Sequence, residues 1–99
     1  QAWKKRSERL VADWVRAQRA GVALDSPEVR RLVDRHVAWL GEIPGTPTHT
    51  GDRERSSVMI RGLARMYVQD PAMRHAFGGR AGAEFVRDAL LLHIDEEQE

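Results

Sequence analysis

The sequence predicts an all-α protein, and three features indicate this fold class. Apolar residues recur at intervals of three and four along most of the chain, which is the spacing of one helix face. Two turns, Asp25-Ser26-Pro27 and Asp70-Pro71, combine a capping side chain with a proline, as helix starts do. No segment alternates apolar and polar residues for long, and no Asn-Gly or Asp-Gly turn joins two apolar runs, so strands are not expected.

The first predicted helix runs from Trp3 to Ala20, and Gly21 is expected to cap its end. Its apolar face carries Trp3, Leu10, Val11, Trp14 and Val15. The second helix begins at Pro27 behind the Ser26 cap and stops at Gly41. Its buried stripe consists of Val29, Leu32, Val33, His36, Val37 and Leu40, with Trp39 at the margin.

Residues 41–52 are predicted to be a long loop or insertion, because three glycines and two prolines in this stretch oppose a regular element. A third helix is expected from a cap at Thr50 or Asp52 to about Gln69. Its buried side would carry Met59, Ile60, Leu63, Met66 and Tyr67. Gly62 lies inside this helix at a cost of about 1 kcal/mol relative to Ala, which is best tolerated where a backbone or ligand approaches closely.

Two more helices complete the prediction of about five. A short one starts at Asp70-Pro71 and ends at Gly78-Gly79. The last, from about Gly82 to His93, is apolar over a wide arc, which is typical of a helix at the centre of a bundle. Neither side of the loop at residues 41–52 can bury a core alone, so residues 1–99 are predicted to form one domain.

Composition narrows the classes of protein. A hydrophobic fraction of 41% with a net charge of +1 excludes a disordered tail, and no run is long enough to span a membrane. The absence of cysteine excludes disulfides and thiol chemistry, and it fits a cytoplasmic protein. Residues 1–40 hold nine Lys/Arg against five Asp/Glu, and residues 41–99 hold seven against ten. Neither part has the dense basic stripe of an autonomous nucleic-acid binder.

Reactive groups do not converge in the sequence, so no catalytic residue, metal site or cofactor is predicted. The four histidines, His36, His49, His75 and His93, are never three or four residues apart, as a helical metal site requires. Gly78-Gly79-Arg80 lacks the strand and the Lys-Ser/Thr ending of a phosphate loop. We therefore do not expect an enzyme.

The aromatic and sulfur residues allow two interpretations. Three tryptophans in a small bundle can be core, and His36 and His93 can be hydrogen-bonded histidines at the core edge. Alternatively, large rings and adaptable methionines can line a cleft for an apolar ligand. A groove for an amphipathic helix is a further possibility.

The order of several segments resembles the TipAS domain, the C-terminal effector-recognition domain of MerR-type transcription activators. The resemblance covers about residues 3–93. It is carried by Asp25-Ser26-Pro27, His36-Val37-Ala38-Trp39-Leu40, the block from Gly62-Leu63 through Met66-Tyr67 to Asp70-Pro71, Phe77, and Ala83-Glu84-Phe85-Val86-Arg87-Asp88-Ala89.

The resemblance implies a compact globin-like fold and a cleft for bulky, largely apolar antibiotics. It also implies a DNA-binding N-terminal domain and a dimerising helix, both absent from this sequence, so that DNA would be contacted only through that domain and the full protein would be a homodimer. The sensor for which the family is named captures its ligand through a cysteine. Binding here must be reversible, because this chain has no cysteine. The loop at residues 43–52 is also longer than the family's usual connection.

Ten residues are predicted to line this cleft, with Trp14 of the first helix as its lid. They are Trp14, Leu32, His36, Trp39, Met59, Leu63, Met66, Tyr67, Phe77 and Phe85. Ring stacking and apolar burial would provide affinity, and His36 and Tyr67 would orient the ligand by hydrogen bonds.

Overall fold

Six helices make up the chain in a computed structural model that describes the backbone of residues 2–98 and the side chains of residues 2–95. They are α1 (Ala2–Arg19), α2 (Pro27–Leu40), α3 (Pro47–Thr50), α4 (Arg53–Gln69), α5 (Pro71–Ala76) and α6 (Arg80–Gln98). Within residues 2–98 there is no strand. The all-α prediction is confirmed, with one helix more than the five expected. None of the described helices has the length and apolar character needed to cross a membrane.

Capping side chains set the helix starts where the sequence predicts them. Ser26 Oγ accepts a hydrogen bond from the Val29 N–H at 3.2 Å, so α2 begins at Pro27. Asp52, rather than Thr50, caps α4. Asp70 Oδ1 accepts from the N–H groups of the two residues after Pro71, at 2.8 and 3.3 Å, and starts α5. Each bond satisfies a donor that the first helical turn leaves free.

The additional helix, α3, lies inside the predicted loop at residues 41–52. Thr46 caps it, and Gly51 ends it in the left-handed region at φ +82°. Two tertiary bonds hold this segment against its neighbours: His49 Nδ1 donates to the Gly41 carbonyl at 2.8 Å, and the hydroxyls of Thr48 and Ser56 lie 2.5 Å apart. The segment is therefore packed against the ends of α2 and α4.

The last helix, α6, lies at the centre of the bundle, as its wide apolar arc predicts. It contacts α1, α2, α4 and α5. Its buried side chains include Val86 and Leu90. His93 Nε2 donates to the Leu24 carbonyl at 2.9 Å and ties α6 to the connection between α1 and α2. This helix starts two residues before the predicted Gly82, because the chain turns already at Gly78 and Gly79.

Candidate functional site

Seven rings form a continuous aromatic cluster beneath α1. We call the aromatic cluster the set of Trp3, Trp14, His36, Trp39, Tyr67, Phe77 and Phe85. Trp3 stacks on Trp39 with ring centroids 5.1 Å apart, and the His36 ring lies 5.4 Å from that of Trp39. The remaining neighbours have centroids within 6.1 Å and lie at tilted or edge-on angles, which is the geometry that aromatic pairs favour.

Two hydrogen bonds fix His36 at the centre of the cluster. Trp14 Nε1 donates to His36 Nδ1 at 3.1 Å, and His36 Nε2 lies 3.0 Å from the Tyr67 hydroxyl oxygen. An indole N–H is a donor only, so His36 Nδ1 carries no proton. In the neutral ring the proton is then on Nε2, which donates to Tyr67. Side chains from α1, α2 and α4 thus meet in one buried relay.

Burial keeps this relay uncharged at neutral pH. Desolvation lowers the pKa of His36 from 6.5 to about 4, and it raises the pKa of Tyr67 from 10.0 to about 12. Both shifts favour the neutral form of the group. The centre of the cluster therefore contains hydrogen-bonding groups without a formal charge.

Few buried contacts hold α1 to the rest of the bundle. Of its eighteen residues, Leu10, Trp14 and Ala17 are buried, and Trp14 alone among them is large. The rest of the attachment is more accessible to water. Trp39 Nε1 donates to Ser7 Oγ at 2.6 Å, and exposed ion pairs link Asp13 with Arg35 and Arg6 with Glu42.

The first turn of α1 also opposes its own dipole. This turn contains Lys4 and Lys5 but no acidic residue, and Arg6 comes directly after it. Positive charge at a helix N-terminus is unfavourable, because the unpaired N–H groups are themselves positive. Trp14 is the largest buried side chain that anchors this helix, beside Leu10, Ala17 and the stack of Trp3 on Trp39.

The ten predicted site residues divide by burial. Trp14, Leu32, His36, Tyr67 and Phe77 are buried, while Trp39, Met59, Leu63 and Phe85 are partly buried and pack against the core. Met66 is 38% exposed on the outer side of α4. The rings pack against one another, and Trp14 contacts His36 and Phe85. The cluster is closed in this structure.

Sequence reasoning missed an open groove on the outer side of α1. It has a volume of about 990 Å³. Its walls are Ser7, Glu8, Val11, Ala12, Val15, Arg16, Arg19, Ala20 and Ala76. Val11 and Val15, which helical spacing assigned to the buried face, are half-buried here. The apolar arc of α1 is wider than the face that the bundle covers, and this width is the sequence feature that could have indicated the groove.

The histidines provide no metal site. Among the described residues, no group of three or more His, Asp or Glu side chains is placed to hold a metal ion. His36 and His93 are buried and hydrogen-bonded, as the core interpretation of the sequence expects.

Comparison with known proteins identifies the family. A family model described as the TipAS antibiotic-recognition domain matches residues 1–93. Searches of curated proteins and of solved structures gave no match. The match covers nearly the whole chain, including every ring of the aromatic cluster. This chain belongs to the TipAS antibiotic-recognition domain family.

Proposed function

We propose that this chain is the effector-recognition domain of a MerR-type transcription regulator and that it reversibly binds bulky hydrophobic compounds such as thiopeptide-like antibiotics. The observation that supports this proposal is that Trp14, the largest buried side chain of α1, closes a cluster of neutral rings. The regulator acts in the cytoplasm as a homodimer and contacts DNA through a preceding domain. The chain is not an enzyme, and it needs no cofactor.

Ligand binding requires Trp14 to leave the cluster, because this side chain is 0% exposed and packs against His36 and Phe85. A ring of the ligand takes the place of the indole. An N–H or O–H group of the ligand then donates to His36 Nδ1, which otherwise loses its partner in a buried position. An unpaired buried acceptor costs about 1–3 kcal/mol, so ligands with a suitably placed donor are preferred.

The remaining predicted residues form the walls around this position. Leu32 and Trp39 belong to one wall on α2, and Met59 and Leu63 belong to the wall on α4, beside Tyr67. Met66, which the sequence placed on the buried side, is exposed and lies outside this wall. Phe77 and Phe85 close the far end. Burial of apolar ligand surface contributes about 25 cal/mol per Å² before ordering costs are subtracted. No cysteine is present, so the complex is held without a covalent bond.

The signal is a shift in population between two positions of α1. A ligand that binds only when Trp14 is displaced favours the open position. Its apparent affinity is lower than its intrinsic affinity, because only a small fraction of the molecules is open before the ligand binds. A preceding DNA-binding module would join the chain ahead of α1, so the displacement of α1 is the change that this module would sense.

An NMR titration with a panel of thiopeptide antibiotics tests this proposal. The indole N–H resonance of Trp14 reports directly on the bond to His36, and it should shift or broaden together with the amides around Tyr67. Tyr67→Phe keeps the ring but removes the hydroxyl, so it should weaken binding severalfold. Ser57→Ala, near the other end of α4, is the control. Shifts confined to Val11, Val15 and Ala76, or no shifts with any compound, would contradict the assignment of the site.

The groove on α1 favours a second candidate, a protein-interaction domain that binds an amphipathic helix. The groove is open, about 990 Å³ in volume, and lined largely by valine and alanine. Such a surface suits a helix that lies along it. This function requires no movement of Trp14, so a partner helix would shift the resonances of the groove and leave the Trp14 indole unchanged.

A further inference from the structure

The relay of Trp14, His36 and Tyr67 leaves one buried proton without an acceptor. The Trp14 indole donates to His36 Nδ1, so the His36 proton lies on Nε2 and is donated to the Tyr67 oxygen. The Tyr67 hydroxyl accepts this bond, and its own proton therefore needs a different acceptor. Among the described residues, the Tyr67 hydroxyl has no second hydrogen-bond partner. Tyr67 is 3% exposed, so an unsatisfied donor lies in the core, which is unfavourable.

The other neutral tautomer of His36 would satisfy Tyr67 without any movement of the two rings. With the proton on Nδ1, the Nε2 atom accepts a hydrogen bond from the Tyr67 hydroxyl across the same 3.0 Å. This arrangement is excluded while Trp14 is in place, because two N–H donors would then face each other at 3.1 Å. Trp14 therefore fixes the less favourable direction of the bond between His36 and Tyr67.

We propose that His36 changes tautomer when Trp14 leaves the cluster, and that the site then recognises a hydrogen-bond acceptor of the ligand, such as a carbonyl oxygen. In this state the Tyr67 hydroxyl donates to His36 Nε2, and the Nδ1–H group donates to the ligand. Tyr67 thus contributes to ligand specificity through His36. The recognition of a ligand rests on the proposed function, whereas the change of tautomer requires only the loss of the Trp14 donor.

The pair of His36 and Tyr67 therefore has two modes of recognition. A ligand donor takes the place of the Trp14 indole and holds His36 in its present tautomer. A ligand acceptor selects the other tautomer, in which the Tyr67 proton also has an acceptor, so ligands that carry a carbonyl and no donor fit as well. Burial lowers the pKa of His36 to about 4, so at neutral pH the change of tautomer connects two uncharged forms. A secondary amide contains both a suitable donor and a suitable acceptor.

Heteronuclear NMR of the His36 ring nitrogens in the 99-residue protein tests the change of tautomer, because protonated and unprotonated ring nitrogens have clearly separated shifts. His36→Gln assigns the His36 signals among the four histidines. The unaltered chain should carry the proton on Nε2. Trp14→Phe keeps an aromatic ring but removes the donor, so the Nδ1–H form should exceed the other by about fivefold or more. Trp39→Phe, which breaks the half-buried bond to Ser7, is the matched control and should leave the tautomer unchanged.

Tyr67→Phe separates the proposed cause of the change from a general loosening of the core. In the double variant W14F/Y67F no hydroxyl favours either tautomer, so the preference for the Nδ1–H form should be lost. Tyr67→Phe alone should keep the proton on Nε2, since Trp14 still donates to Nδ1. Two results would overturn the proposal: a proton that stays on Nε2 in Trp14→Phe, or an equal preference for the Nδ1–H form in Trp14→Phe and in the double variant.

Bicyclic probes of similar shape test the recognition of an acceptor. Trp14→Ala removes the indole, and the probes indole, indanone and indane offer a donor, a carbonyl and neither group at its position. Indole should bind with His36 in the Nε2–H form and indanone with His36 in the Nδ1–H form, each about fivefold or more tightly than indane. If Trp14→Ala is unfolded on its own, refolding by the three probes gives the same ranking. The same tautomer with both polar probes, or indanone bound no more tightly than indane, would contradict the recognition of an acceptor.

The thiopeptide titration distinguishes the failure of this proposal from the failure of the proposed function. A change of tautomer in Trp14→Phe, without thiopeptide shifts in the unaltered chain, would refute the proposed function alone. Thiopeptide shifts at Trp14 and Tyr67, without a change of tautomer in Trp14→Phe, would refute the tautomer change alone.

Discussion

Acidification is expected to destabilise this fold through His36. Burial lowers the pKa of His36 in the folded protein from 6.5 to about 4, whereas the unfolded chain retains the ordinary value. The unfolded state therefore binds a proton first as the pH falls. The stability contributed by the neutral ring is present in full above about pH 6.5, and it is lost progressively as the pH falls towards 4.

The size of the effect follows from the same pKa. At pH 5 the unfolded histidine is protonated, but the folded one is not, and each pKa unit below 6.5 is worth about 1.4 kcal/mol. The free energy of unfolding should thus fall by about 2 kcal/mol between about pH 7.5 and pH 5. Protonation at Nδ1 is also incompatible with the bond from Trp14, so the acid form should release α1 from the cluster.

Urea unfolding at several pH values measures this loss, and His36→Gln is the matched variant. An amide can still bond to Trp14 or Tyr67, but it does not titrate, so the pH dependence of the variant should be smaller by about 2 kcal/mol over this range. Carbon-bound proton resonances of the His36 ring should stay constant down to about pH 5. Equal pH dependence in both proteins, or a ring that titrates near the ordinary value, would refute the reasoning.

Three further predictions concern stability, each measured by urea unfolding at neutral pH. Trp14→Phe leaves His36 Nδ1 without a donor in the core, so it should cost about 2 kcal/mol or more, whereas Trp39→Phe breaks a half-buried bond and should cost about 1 kcal/mol. Similar losses of stability in the two variants would show that the burial of the broken hydrogen bond does not determine its cost. Gly62→Ala should stabilise by about 0.5–1 kcal/mol, because the new methyl group meets nothing within 4 Å in a helix interior. Gly82→Ala should destabilise by about 2 kcal/mol or more, since its methyl group would overlap a backbone carbonyl, and a stable Gly82→Ala variant would contradict this.

Local signals in the sequence were sufficient for the starts of α2, α4 and α5. A cap such as Ser26 or Asp70 bonds to N–H groups two or three residues away, so the residues involved are adjacent in the sequence. The start of α3 has the same local signal, because Thr46 caps it in front of Pro47, but its attachment to the bundle depends on partners outside its own turn. Its four residues are held by bonds from His49 to Gly41 and between Thr48 and Ser56. Glycine and proline content alone predicted a loop.

Periodicity identified which residues face inward, but it did not identify their partners. Trp14 and His36 are 22 residues apart, and no spacing rule connects them. Periodicity also does not distinguish a core face from a groove face, which is why Val15 was assigned to the interior. At Gly62 no other backbone approaches, because the space beside it is open. These differences all arise from tertiary packing, which a single helix pattern does not contain.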